Sequence, residues 1–374
     1  MSLSVRKSQQ LQPVFSLSAD LQNFLQCGLQ YRYARNSQLP WSDSPQLWFG
    51  RFVCDCLQQA QLQVRQGLQP QPPWDSGQIE QLCDMVTARL QTEQIVCRSR
   101  TKQQNALQCV TAAINHLGPV LFPLISAGPV PVSGSRWFPE MNGNAATHDT
   151  PFAHFFLTGT VPALLQISAT DRSLLDSPLR QALQAHGLMS DEHQTVLVDF
   201  KTAHRPDLHR NTRHAAATNA DSDHWRALVL AWLLSQQAEP PTAAVVVYLR
   251  ELWPSAAALR RLREACFRRT PDVLLPNPDS PDAALLTELH HGQQQTPLSS
   301  EFRLQRAFRI IPVTQANMQA AMQTTDHTAQ RIRTCQNQEV RSGHILSAWE
   351  RNNHSQVTCT ACRARTWCPG FHGK

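Results

Sequence analysis

Three cysteines close the chain: Cys359, Cys362 and Cys368, in the spacing C-x2-C-x5-C with Pro369 after the last. Three thiolates so close together are one ligand short of a tetrahedral zinc site or a cubane iron–sulfur cluster. The missing ligand must come from elsewhere, so the fold must bring a distant segment to the tail. Cys27, on the first helical pattern beside Tyr31 and Tyr33, is the best-placed candidate. Such a pairing would close a long loop through metal bonds and tie the N-terminal helix to the C-terminal tail. Spacing alone leaves zinc and iron–sulfur both open, beside the alternative of an unmetallated, reduced trio.

The chain holds 11 cysteines among 374 residues, and its first residues, MSLSVRKSQQ, lead into no long apolar run. No signal peptide is expected, and the cytoplasm is the expected compartment. In a reducing compartment grouped cysteines read as metal ligands and scattered ones as small core residues. Cys54, Cys56, Cys83, Cys97, Cys109, Cys266 and Cys335 fall in the second class. An apolar share of 41% excludes wholesale disorder. No uninterrupted apolar stretch approaches a membrane span, so no membrane partner is expected. The formal charge of +6 permits nucleic-acid binding without requiring it.

Along the chain, Leu21, Phe24, Leu25, Leu29 and Tyr33 mark a first helix with Ser18 as its cap. Further helices are expected over 46–66, around Ile79–Leu90, and from Asn105 to a stop at Gly118-Pro119. Residues 120–170 are apolar, turn-punctuated and rich in β-formers. Then come a strand TVLVDFKTA, a buried helix DHWRALVLAWLLSQ capped by Asp221 to Asp223, a strand AAVVVYLREL, and a basic helix over 255–268. A strand FRLQRAFRII and a long polar helix over 314–337 precede the cysteines. The segments are 1–45, 46–120, 121–313 and 314–374, in one compact domain of α/β class.

In Val196-Leu197-Val198-Asp199-Phe200-Lys201, side chains alternate between faces. Asp199 and Lys201 share one face of an otherwise apolar strand, which is costly unless they are used or paired. One reading is a hydrolytic site in which Asp199 holds a divalent cation and Lys201 positions the attacking water. The other is an ion pair on a solvated face.

The first-helix Cys27 within S-x-S-x-x-L-x-x-F-x-x-C, the strand VDFKT, and the closing cysteines preceded by Trp349 together resemble one family. It is the RecB-type PD-(D/E)XK nucleases that carry a 4Fe–4S cluster, among them the AddB nuclease domain and the CRISPR-associated iron–sulfur nucleases. The resemblance spans nearly the whole chain. It implies a restriction-endonuclease-like core, with a central mixed sheet flanked by helices and an N-terminal helical insertion. It implies that Cys27, Cys359, Cys362 and Cys368 ligate a 4Fe–4S cluster, and that Asp199 and Lys201 form half of an active site for DNA hydrolysis with Mg²⁺ or Mn²⁺. DNA ends or single strands, and a helicase, are the partners it suggests.

The chain departs from that pattern in three places. The family's metal-binding Asp, in G-x-[IV]-D, falls on Pro162 in Gly159-Thr160-Val161-Pro162. The His of G-x-x-x-H falls on Cys54, counted from Gly50. The Gln and Tyr of Q-x-x-x-Y fall on Arg226 and Leu230. Asp171 is the substitute carboxylate if the strand register differs. One carboxylate and one lysine hold Mg²⁺ poorly. Three functions are therefore weighed: a metal-dependent DNA nuclease, a degenerate relative that binds DNA or a helicase without cutting, and a zinc-stabilised structural module. Phosphate contacts are expected from Arg205, Arg210, Arg213 and Arg226, from Arg260, Arg261, Arg263, Arg268 and Arg269 on the basic helix, and from Arg363 and Arg365 in the tail. His204, His209 and His214 read as a polar loop.

Overall fold

The computed structural model describes residues 13–35, 45–139, 153–171, 174, 177–206, 216–270, 273–288, 298–351, 359, 362 and 364–369. It opens with strand β1 (Val14–Ser16) and helices α1 (Asn23–Gln26) and α2 (Gly28–Ala34). A helical layer follows: α3 (Pro45–Arg65), α4 (Ser76–Thr92), α5 (Arg100–Ala112) and α6 (Gly118–Leu121). Strands β2 (Ile125–Ala127), β3 (Val130–Trp137), β4 (His154–Val161) and β5 (Ala163–Ile167) come next, then α7 (Pro178–Ala185) and β6 (Gln194–Lys201). Helix α8 (Ala216–Ser235) crosses over to β7 (Ala243–Tyr248). Helices α9 (Ala256–Arg268), α10 (Pro281–Glu288) and α11 (Ser300–Ala307) lead to β8 (Phe308–Pro312), and α12 (Gln315–Ser342) and α13 (Ile345–Ala348) end the regular structure.

The central sheet has the order β2-β5-β6-β7-β8, with β6 and β7 parallel and the other neighbours antiparallel. A smaller sheet, β1-β4-β3, stands beside it. The chain is thus of mixed α/β class, as expected. A parallel pair is covered on both faces, so its strands are apolar on both. Val196, Val198, Val245 and Val247 enter a core shared with α3 to α7. Leu197, Ala244, Val246 and Tyr248 enter a second core with α1, α2, α8, α12 and the tail. Asp199 and Lys201 lie on that second face, by the strand alternation.

Pro162 is where one β-ribbon changes sheet. Strand β4 ends at Val161 in the small sheet, and β5 begins at Ala163 in the large one. Its partner ribbon makes the same change between β2 and β3 at Gly128, which has φ of +156°. A Cβ at Gly128 would lie 2.4 Å from the Pro162 carbonyl oxygen, so only glycine lets the ribbons cross this closely. A proline, with no N–H to donate to a ladder, suits a residue between two sheets.

The two ends of the chain meet through a buried ion pair. Arg32 on α2 grips Glu339 on α12 with two hydrogen bonds of 2.8 and 2.7 Å, and the Trp349 indole N–H donates to the same carboxylate at 2.6 Å. Trp349 packs against Phe24 and Tyr31. The Leu29 N–H donates to the Glu350 carbonyl at 3.1 Å, and a Cβ at Gly28 would already crowd that oxygen.

Several expectations are corrected. The helix expected to stop at Gly118-Pro119 continues to Leu121, because a proline in the first turn of α6 gives up an N–H that has no helical partner there. Half of FRLQRAFRII is helix: Ser299 caps α11 by accepting from the Phe302 N–H, and the strand begins at Phe308. Ser16, not Ser18, caps the first helical turn. Asp221 and Asp223 sit inside α8, which begins at Ala216. Among the described residues one helical run, Arg100–Leu124, has the length and apolarity to cross a membrane. Its Ala106, Val110, Ile114 and Leu117 are buried in the first core.

Glu339→Gln should cost about 3–5 kcal/mol of stability, because it leaves the Arg32 guanidinium buried without a counter-charge. Urea unfolding measures this, and an unchanged midpoint would contradict the role given to the pair.

Candidate functional site

The C-terminal end of β6 carries Asp199, Phe200 and Lys201. Asp199 is 2% exposed. Its Oδ2 is shared by two cations: Lys201 Nζ at 3.1 Å and Arg226 Nε at 3.1 Å. Lys201 Nζ also reaches Asp223 Oδ1 at 2.9 Å, and the Tyr248 hydroxyl donates to Asp223 Oδ2 at 3.0 Å. Arg226 extends further, donating to Gln22 Oε1 at 3.1 Å and to Ser18 Oγ. Two acids and two bases thus form one continuous network joining β6, β7, α8 and the first helical turn.

Burial alone would push the Asp199 carboxyl up, but the charges of Arg226 and Lys201 and their hydrogen bonds outweigh it and hold the group below the usual carboxylate range. Tyr248 is raised by burial and by the neighbouring Asp223 charge. Cys54, on α3, sits at the same end of the sheet. Burial, reinforced by Asp199 and Asp55, pushes its thiol up to about 12, so it stays protonated and unreactive. A Cβ on Gly50 would lie 3.3 Å from Thr202 Oγ1, so α3 closes over the strand end at that glycine.

Of the second reading of Asp199 and Lys201, the ion pair within the strand is present, but its face is not solvated, because the carboxylate is buried. Pro162 lies just before Ala163, which pairs with Val198, the residue preceding Asp199. Asp171 is corrected as a substitute ligand. Strand β5 runs away from Asp199, with Ile167 opposite Gln194, and Asp171 follows beyond that far end, more than about 17 Å along the strand. Its Oδ2 instead accepts from the Ser168 N–H at 2.6 Å and closes a turn.

Two arginines expected on phosphate point inward. Arg226 is consumed by Asp199, Gln22 and Ser18. Arg205 donates from its guanidinium to the carbonyls of Arg306 and Phe308, and burial and the nearby Arg306 lower its pKa. Beside it, Glu251 accepts from the Arg205 N–H at 3.1 Å and contacts His204 Nδ1 at 3.2 Å and Arg306 Nε at 2.7 Å. Burial would raise Glu251, and the His204 hydrogen bond with the Arg306 charge lowers it overall. Arg210, Arg213, His209, His214 and Arg363 lie outside the described residues. Arg365 is half-buried in a turn, its N–H donating to the Cys362 carbonyl at 3.3 Å. Asp223 and Tyr248 were missed by the sequence reading. The spacing of Asp223 and Arg226 was the available signal, since residues three apart share a helix face.

The second constellation lies at the joined chain ends. Cys27 stands between α1 and α2, where its Sγ accepts from the Gln30 N–H at 3.5 Å. Cys27, Cys362 and Cys368 share the second core, and burial raises the Cys362 thiol, with the charges of Cys27, Cys368 and Cys359 acting in the same direction. Among the described residues no three His, Cys, Asp or Glu side chains are gathered tightly enough to ligate a metal ion together. The donor set is chemically that of a zinc or iron–sulfur site; it is not closed to coordination distance. No family model matches the chain, and no curated protein matches it in sequence.

Because the folded-state pKa of Asp199 is depressed, its contribution to stability is present above its unfolded value, about 3.9, and is lost as pH falls through the folded value. Asp199→Asn should therefore cost about 3–5 kcal/mol at neutral pH by leaving Lys201 and Arg226 less compensated. The gap to the unsubstituted protein should shrink below about pH 4. Urea titrations across pH test this, and a pH-independent gap would contradict it.

Proposed function

We propose that the chain is a restriction-endonuclease-like protein, related to the RecB-type iron–sulfur nucleases, that binds DNA without hydrolysing it. The observation that carries this reading is the occupation of Asp199 by Lys201 and Arg226. Hydrolysis of a phosphodiester with Mg²⁺ needs carboxylates free to hold the ion beside substrate oxygens and waters. Here the one buried carboxylate of the strand is already neutralised by two cations. Pro162, beside the Ala163–Val198 pair, offers no side-chain donor. Asp223, the other acid of the network, is engaged by Lys201 and Tyr248.

The fold-level part of the reading draws support from the topology. An antiparallel ribbon leads into the strand with Asp199 and Lys201, and a helical crossover then leads to a parallel neighbour. The departures of the sequence from the nuclease pattern converge on one place. Arg226 bonds Asp199, Cys54 feels its charge, and Pro162 adjoins the Ala163–Val198 pair beside it, as residues replaced together at a former metal site would.

The purified protein should not degrade single-stranded or duplex DNA above background with Mn²⁺. The double variant Pro162→Asp/Arg226→Gln, which supplies a second carboxylate and frees the first, should show Mn²⁺-dependent cleavage. Digestion by the unsubstituted protein that disappears with Lys201→Ala would overturn the non-hydrolytic reading.

Cys27, Cys359, Cys362 and Cys368 would hold a 4Fe–4S cluster, whose role here would be to clamp the two chain ends. Anaerobic purification should give a brown protein with bound iron and sulfide, and Cys27→Ser should lose both. Bound zinc without iron would reassign the site to a structural zinc centre. Neither metal would contradict a metal site there.

A further inference from the structure

Helix α9 carries the charge that the candidate site does not use. Leu259 and Leu262 are buried against Leu286, Leu298 and Phe302, and Cys266 packs on the same cluster. At 3.6 residues per turn, that anchored stripe turns Arg260, Arg261, Phe267 and Arg268 to the opposite side. All four are exposed, as is Arg269, which caps the helix at φ of 45°. Phe267 is 63% exposed, with the Arg263 guanidinium 5.4 Å from its ring centroid. Trp253, 46% exposed, stands just before the Ser255 cap at the other end of the helix, about 20 Å away.

Arg268 and Arg269 have a structural reason to be where they are, since cations favour a helix C-terminus. Arg260 and Arg261 stand in the middle of the helix, four and three residues before the exposed Glu264, and the end-of-helix reason does not reach them. Nor does folding account for an aromatic ring left largely in water among arginines. Arginine forks beside exposed aromatic faces are the chemistry of single-stranded nucleic acid: the forks take phosphates and the rings stack unpaired bases. A duplex offers the phosphates but hides its base faces, and a membrane surface calls for a broad apolar face, which α9 turns inward.

We propose that the exposed face of α9 is a platform for single-stranded DNA, lying outside the Asp199 network. The inference rests on the DNA-binding part of the reading above and is independent of cleavage. Bases stack on Phe267, while Arg260, Arg261, Arg268 and Arg269 neutralise neighbouring phosphates.

The test is fluorescence anisotropy of a labelled oligo-dT strand with the full-length protein and no added divalent cation, over a series of salt concentrations. Phe267→Ala should weaken binding about 5- to 150-fold. Arg260→Ala/Arg261→Ala should weaken it and lower the slope of log affinity against log salt by about 1.4. Arg341→Ala, an exposed arginine on α12, should leave binding unchanged. Because the substituted side chains are exposed, urea midpoints should stay unchanged. Binding that none of the α9 variants affects would overturn the platform and leave DNA binding standing. Equal affinity for duplex together with a neutral Phe267→Ala would overturn the stacking role. No binding by the unsubstituted protein would overturn the DNA-binding reading as well.

Discussion

A single buried carboxylate organises this molecule. Removing Asp199 from water carries a penalty of several kcal/mol, which only close and well-directed cations offset. Lys201 and Arg226 supply them, both at 3.1 Å, from the same strand and from the crossover helix. Each partner is then committed onward. Lys201 draws in Asp223 and through it Tyr248, and Arg226 draws in Gln22 and Ser18. The strand pair β6–β7, helix α8 and the first helical turn are fixed at one point as a result. Under the proposed reading the same commitment sets the chemistry, because a carboxylate that must neutralise two half-buried cations has little capacity left for a divalent ion.

The second constraint is at the chain ends. Arg32, Glu339 and Trp349 are joined by buried hydrogen bonds, and the backbone of Leu29 meets that of Glu350. These contacts hold the segment around Cys27 against the last helices, and Cys27, Cys362 and Cys368 share the second core. A bound metal centre would add to that junction. The two constraints lie on the same side of the central sheet, within the core formed by α1, α2, α8 and α12.

Much of this was legible in the sequence where local pattern and tertiary role coincide. The alternation of Val196 to Lys201 put both charges on one face, and Cys27 shares the second core with the tail residues Cys362 and Cys368. Pro162 was legible as a position; its reason was not, because the change of sheet opposite Gly128 exists only in three dimensions. Asp223 was read as a helix cap because the start of α8 at Ala216 carries no strong cap signal. Arg205 and Arg226 were read outward because charge suggests solvent, while the acceptors that turn them inward lie up to 208 residues away in sequence. Asp171 followed a strand in the right region and ended at the wrong end of it, an error of direction that composition does not reveal.

The account stands most directly on whether the Asp199 network excludes a divalent ion. Isothermal titration of the folded protein with Mn²⁺ measures it, with Asp199→Asn alongside. The account predicts that the two proteins titrate identically, with no binding event that depends on Asp199. A stoichiometric Mn²⁺ site present in the unsubstituted protein and lost in Asp199→Asn would contradict it.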